Sequence, residues 1–206
     1  MVDTVLARSA TGRAAFLKMA LLALGGTALI ALSAQVSVPF YPVPMTLQTL
    51  AILIVGLTFG ARLGAATLAL YLAEGAMGLP VFAGGASAPA LIGPTAGFLF
   101  GFAGMAWLAG LAADRGLARG FVTTALCCVV IAGLLYLPGA AWPMAVAELT
   151  GVSGKWVGVS ATHVWASWVS PFLFGDVIKA VVAAMVVSGG RAVWTARVER
   201  GAASEP

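Results

Sequence analysis

Asp176 and Lys179, in PFLFGDVIKA, sit three residues apart in an apolar segment and share one face if that segment is helical. An ionisable group inside a membrane helix costs at least ~2.5 kcal/mol on insertion scales, which makes it a functional candidate by default. The carboxylate accepts N–H donors and the ammonium donates to carbonyl or carboxylate oxygens, so the pair could bind a polar solute. It could equally be a mutually neutralising ion pair that holds a bundle together. Glu74, in YLAEGAMGLP, is a second acid in an apolar run, with Tyr71 one turn earlier. Both could reach the same outer pocket, or Glu74 could be hydrogen-bonded at a helix end. Gln48, in PMTLQTL between Thr46 and Thr49, adds a polar face at an outer mouth.

Other chemistries find no support. His163 is the only histidine, which rules out a multi-histidine metal site. No GxSxG stands here for a serine hydrolase, and no GxxxxGK[ST] for binding nucleotide phosphates. Cys127 and Cys128 are adjacent in an apolar run and read as packing residues. The residues thus point to a binding protein that is not an enzyme and has no cofactor.

The elements that must position these groups are membrane helices. Of 206 residues, 61% are hydrophobic and only 9% charged. Soluble domains carry about a quarter charged residues, so too little charge is left to solvate a globular surface. Apolar runs cover about Leu17–Val36, Met45–Phe59, Leu63–Leu79, Thr95–Ala113, Phe121–Leu137 and Phe172–Val187. Prolines and glycines break them at SVPFYPVP, Gly60, Pro80, VFAGGASAPALIGP and Pro138-Gly139. The expectation is one membrane domain, an all-α bundle of about six transmembrane helices. The stretch Ala140 to Ser170 holds four tryptophans with Glu148, Lys155 and His163. It reads as a long, partly helical extracytoplasmic connection at the membrane surface, with a seventh short span as the alternative.

The net charge of +4 comes from basic residues scattered between apolar runs, which is a topology signal and not a nucleic-acid signature. Arg8, Arg13, Lys18, Arg62, Arg115, Arg119, Arg191, Arg197 and Arg200 would all face one side in a six-span chain, nine of the eleven Lys and Arg. That places both termini in the cytoplasm. The early basic residues, the first apolar run and Ala31-Leu32-Ser33 also resemble a cleavable signal peptide, whose loss would leave five spans.

Small residues recur at four-residue spacing: Ala23, Thr27 and Ala31 in the first run, Ala180, Ala184 and Ser188 in the last, and Gly97 and Gly101 in the fourth. Such stripes let helices approach closely, within the chain or toward a partner.

The segments VPMTLQTLAILIVGLTFGARLGA, LALYLAEGAMGLPVFAGG, GPTAGFLFGF and PFLFGDVIKA together resemble the BioY family, the biotin-specific S components of energy-coupling-factor transporters. Phe174 departs from the proline that many relatives carry before Gly-Asp. The resemblance implies a six-helix S-component fold in the cell (inner) membrane and capture of biotin from outside. It implies docking on a transmembrane coupling protein with two cytoplasmic ATPases. Substrate binding would fall to Asp176, Lys179, Gln48, Tyr71 and Glu74, with Gly84 and Gly85 letting an outer loop close over the ligand. The resemblance also favours a retained first helix, with Ala23, Thr27 and Ala31 on the docking surface. An S component for thiamine or riboflavin would share this architecture, and a structural membrane protein would use the Asp–Lys pair for stability alone.

Overall fold

A computed structural model describes residues 12–203, with side chains through residue 195. Arg8 lies outside the described residues, and of Arg197 and Arg200 only helical backbone is described. Six helices follow one another: α1 (Gly12–Gln35), α2 (Gln48–Phe59), α3 (Ala61–Ala76), α4 (Ala96–Asp114), α5 (Phe121–Leu149) and α6 (Ala161–Ala203). A two-residue antiparallel ladder, β1 (Ser37–Val38) with β2 (Met45–Thr46), closes the α1–α2 connection. Six successive antiparallel passes bring both ends of the described chain to the same end of the bundle. The arginines of the α2–α3 and α4–α5 turns lie at that end too.

α1, α4, α5 and α6 are long and apolar enough to cross a bilayer. α2 and α3 are not: at 12 and 16 residues they reach only about 18 and 24 Å, against ~30 Å of hydrocarbon. Both are short at the end away from the termini. There the β1–β2 hairpin and the turns Ala83–Gly85 and Ala88–Ile92 fill the gap. Irregular backbone at membrane depth is tolerated where it is buried in protein or lines a cavity, because lipid cannot satisfy its N–H and C=O groups. The shortness of α2 and α3 is therefore what makes room for a site.

Toward the opposite end α2 and the α2–α3 turn pack closely against α4. Gly60 turns the chain between α2 and α3 with φ +84°, and a Cβ on Gly110 of α4 would collide with the Gly60–Ala61 backbone. Asp114 Oδ2 accepts from the Ala61 N–H at 2.9 Å, so a carboxylate sits on the positive N-terminus of α3. A Cβ on Gly56 would stand 2.6 Å from the Ala106 carbonyl, which shows how closely α2 and α4 approach.

Two expectations are corrected. Ala140 to Ser170 is not a long surface connection: α5 runs on through Pro138 to Leu149 and α6 starts at Ala161, leaving only residues 150–160 between them. No seventh span appears among the described residues. Pro138 is accommodated because Gly97 and Gly101 of α4 stand opposite it, where side chains would strike its carbonyl and ring. Single π-turns at Trp142–Val146 and Trp165–Val169 then let each helix continue. Second, α3 ends at Ala76, three residues before the end of its apolar run. Ala23 and Thr27 are buried within the chain's own bundle, and Ala31 is half-buried and packs against its core. Ala180 and Ala184 are likewise fully buried.

Candidate binding site

A cavity of about 380 Å³ lies between the hairpin, α2, α4, α5 and α6, under the 82–95 connection. Small-molecule sites run from about 300 to 1,000 Å³ and are mostly apolar with a few placed polar groups. This one fits that description. Phe82, Phe98, Phe102, Leu135 and Phe172 form apolar walls, and Gln48, Thr49, Tyr136, Asp176 and Lys179 supply the polar side.

α6 presents Asp176 and Lys179 to the cavity from mid-helix, fifteen residues after its start at Ala161. Lys179 Nζ donates to Asp176 Oδ1 at 2.7 Å, to the Thr46 carbonyl at 2.9 Å and to Thr49 Oγ1 at 3.2 Å. All three ammonium protons are thereby directed to acceptors within the chain. Thr49 donates to Asp176 Oδ1 at 3.1 Å, and the Tyr136 hydroxyl donates to Asp176 Oδ2. Gly175 leaves room for the Met45 sulfur, so the hairpin can bring Thr46 onto the lysine. Both charged residues are only 8% exposed. A buried pair without such partners would not recover the cost of desolvation.

Gln48 forms a second chain of bonds. Tyr71 donates its hydroxyl proton to the Val81 carbonyl at 2.8 Å, so it must accept from Gln48 Nε2, also at 2.8 Å. That fixes the amide orientation and turns Gln48 Oε1 toward Thr46 Oγ1 at 3.0 Å. Two hydrogen-bonding capacities of these cavity-lining residues remain unused. Asp176 Oδ2 can accept one more bond, and Gln48 has a second amide N–H to donate.

The lid is held from two sides. Gln35, the last residue of α1, donates to the Phe82 carbonyl at 3.1 Å and accepts from the Gly85 N–H at 3.0 Å. The indoles of Trp142 and Trp168 donate to the Gly93 and Pro94 carbonyls at 2.9 and 3.1 Å. Phe82 packs edge-on against Tyr71, with ring centroids 5.3 Å apart.

Of the residues expected from sequence, Asp176, Lys179 and Gln48 line the cavity together. Tyr71 stands behind Gln48 and is fully buried. Gly84 and Gly85 form the lid turn at φ +66° and +73°, beside wall residues Phe82, Ala83 and Ala86. Glu74 is not on the wall: its Oε1 accepts from Thr27 Oγ1 of α1 at 3.0 Å. Tyr136 and Gln35 were missed. Tyr136 is one of only three tyrosines, placed two residues before a proline in an apolar run, and that was its one visible signal.

Residues 7–196 match the BioY family. The chain belongs to the BioY family. The Biotin transporter BioY of Thermotoga maritima is 36% identical over 163 residues, covering 78% of this chain and 88% of the relative. That of Rhizobium etli is 38% identical over 166 residues, covering 77% and 81%. The Probable biotin transporter BioY of Pyrococcus horikoshii is 34% identical over 160 residues, covering 77% and 87%. The fold matches the crystal structure of the S-component for biotin from an ECF-type ABC transporter, with a TM-score of 0.70 over 88% of this chain and 95% of that one, at 23% identity. This BioY-family chain is accordingly a multi-pass membrane protein with the S-component fold.

Proposed function

We propose that the chain is the substrate-capturing S component of a vitamin transporter and binds biotin in the cavity between α2, α4, α5 and α6. The observation that carries this reading is a match between the cavity's spare capacity and the ligand. Biotin offers ureido N–H donors, a ureido carbonyl, an apolar thiophane ring and a carboxylate tail. Asp176 Oδ2 accepts a ureido N–H, and the second Gln48 N–H donates to the ureido carbonyl. The phenylalanine walls take the thiophane.

Lys179 serves chiefly to orient the carboxylate, since its three protons already have acceptors. Tyr71 orients Gln48 in the same way, and the Gly84–Gly85 turn closes the lid. Glu74 ties α3 to α1 and does not touch the ligand.

The basic residues gathered at the end that carries the termini support a cytoplasmic location for that end, by the positive-inside rule. The cavity then faces outward from the cell (inner) membrane. Uptake would be driven through a transmembrane coupling protein and two cytoplasmic ATPases.

The test is equilibrium binding of labelled biotin to the purified protein in detergent, with unlabelled biotin, thiamine and riboflavin as competitors. Tight binding displaced by biotin alone is expected. A folded sample that binds none of the three would overturn the proposal, and displacement by another vitamin would reassign the substrate.

A further inference from the structure

A second, larger cavity of about 650 Å³ opens at the end of the bundle that carries the termini. Four arginines and one acid are among its lining residues: Arg62 from the first turn of α3, Arg115 and Arg119 from the α4–α5 turn, Arg191 from α6, and Asp114. They come from three separate parts of the chain, so the fold gathers them. Arg191 is fixed as a floor, its guanidinium donating to the carbonyls of Ala118 and Leu57. Gly116, at φ +74°, leaves space for the Arg119 guanidinium to lie across the turn.

The cavity mouth is continuous with a lipid-facing stripe. Trp107 and Leu111 of α4 line the cavity, and Phe100, Gly104, Trp107 and Leu111 fall on one face of α4 at spacings of three and four. Phe100 and Trp107 are 49% and 45% exposed. Between them Gly104 carries no side chain, and a Cβ there would meet nothing within 4 Å. A tryptophan at this level also suits the headgroup region of a bilayer.

We propose that this cavity seats the phosphate of an anionic phospholipid, with one acyl chain lying along the α4 stripe across the open space at Gly104. Guanidinium forks suit phosphate oxygens, and basic pockets between membrane helices on the cytoplasmic side take anionic headgroups. The adjoining apolar stripe favours a lipid over a free phosphate or an acidic peptide, neither of which has anything to place there. The site is separate from the biotin cavity and stands whether or not biotin is the substrate.

Native mass spectrometry of the full chain in detergent, with dioleoylphosphatidylglycerol and dioleoylphosphatidylcholine added in turn, tests this. Retention of the anionic lipid should exceed that of the zwitterionic one at least five-fold. Arg62→Gln and Arg119→Gln should each weaken it by about five-fold. Gly104→Leu, which leaves every arginine in place and fills only open space, should weaken it too while the unfolding temperature stays unchanged. Equal retention of both lipids would overturn the proposal. So would full retention in the arginine variants, or competition by inorganic phosphate combined with indifference to Gly104→Leu, which would mark a free-phosphate site.

Discussion

The Tyr136 hydroxyl of α5 donates to Asp176 Oδ2 of α6 across forty residues of sequence, while Lys179 holds the other carboxylate oxygen at 2.7 Å. With Thr49 of α2 also donating to it, the carboxylate is clamped from three helices. Tyr136→Phe removes one clamp and leaves the ring in place. A hydrogen bond to a charged group contributes about 1.5–3 kcal/mol, so biotin affinity should fall by roughly ten-fold or more. Isothermal titration on wild type and variant reads this directly, and unchanged affinity would show that Oδ2 is not what the ligand meets.

The Asp176–Lys179 pair separates a binding role from a structural one. Losing either partner strands a buried charge, which costs about 3–5 kcal/mol. Asp176→Asn should therefore lower both the unfolding temperature and biotin affinity. The double variant Asp176→Asn with Lys179→Gln should regain much of the stability but not the binding. Glu148→Gln, at an exposed position off the cavity wall, should change neither. Recovery of binding in the double variant would make the pair purely structural.

The charged pair was legible in sequence because Asp and Lys stand out against an apolar run. Tyr136 did not stand out, since an aromatic residue in such a run is compositionally ordinary and its partner lies on another helix. Pro138 misled in the opposite direction. Proline breaks an isolated helix, but here two glycines on α4 take up its bulk and α5 continues for another eleven residues. The small residues of α1 announced a close approach without saying to what; only packing shows that Thr27 meets Glu74 and that Gly26 meets Thr67.

Adjacent glycines on α1 test that assignment of faces. A Cβ on Gly26 would stand 2.7 Å from Thr67 Cγ2 and 3.0 Å from the Phe59 ring, whereas one on Gly25 would meet nothing within 4 Å. Gly26→Val should destabilise the bundle by about 1–3 kcal/mol through overpacking. Gly25→Val should leave the unfolding temperature nearly unchanged. The reverse order would mean that α1 is rotated relative to α3.

Glu74 should prove structural. Its contact is Thr27 of α1, and a glutamine carbonyl can accept the same hydroxyl proton. Glu74→Gln should then keep biotin affinity within about two-fold of wild type, a difference smaller than one ordinary hydrogen bond. Glu74→Leu should lower stability with the affinity of the folded fraction preserved. A large loss of affinity in Glu74→Gln would return this residue to the ligand site.

Gln35 gives the sharpest kinetic test, because it lies outside the cavity wall and bonds only to backbone of the lid and of its own helix. Its two bonds to the lid hold the turn that carries Phe82 into the site. With each worth about 1 kcal/mol net, Gln35→Leu should loosen the closed lid and speed biotin release by up to about thirty-fold. The association rate should change little, since an open lid does not hinder entry and interface changes act mostly through dissociation. A chase with unlabelled biotin after loading labelled biotin measures the release. If release is unaltered while Tyr136→Phe still weakens binding, the turn over the cavity does not gate the site, and the ligand is held by its polar contacts and the aromatic walls alone.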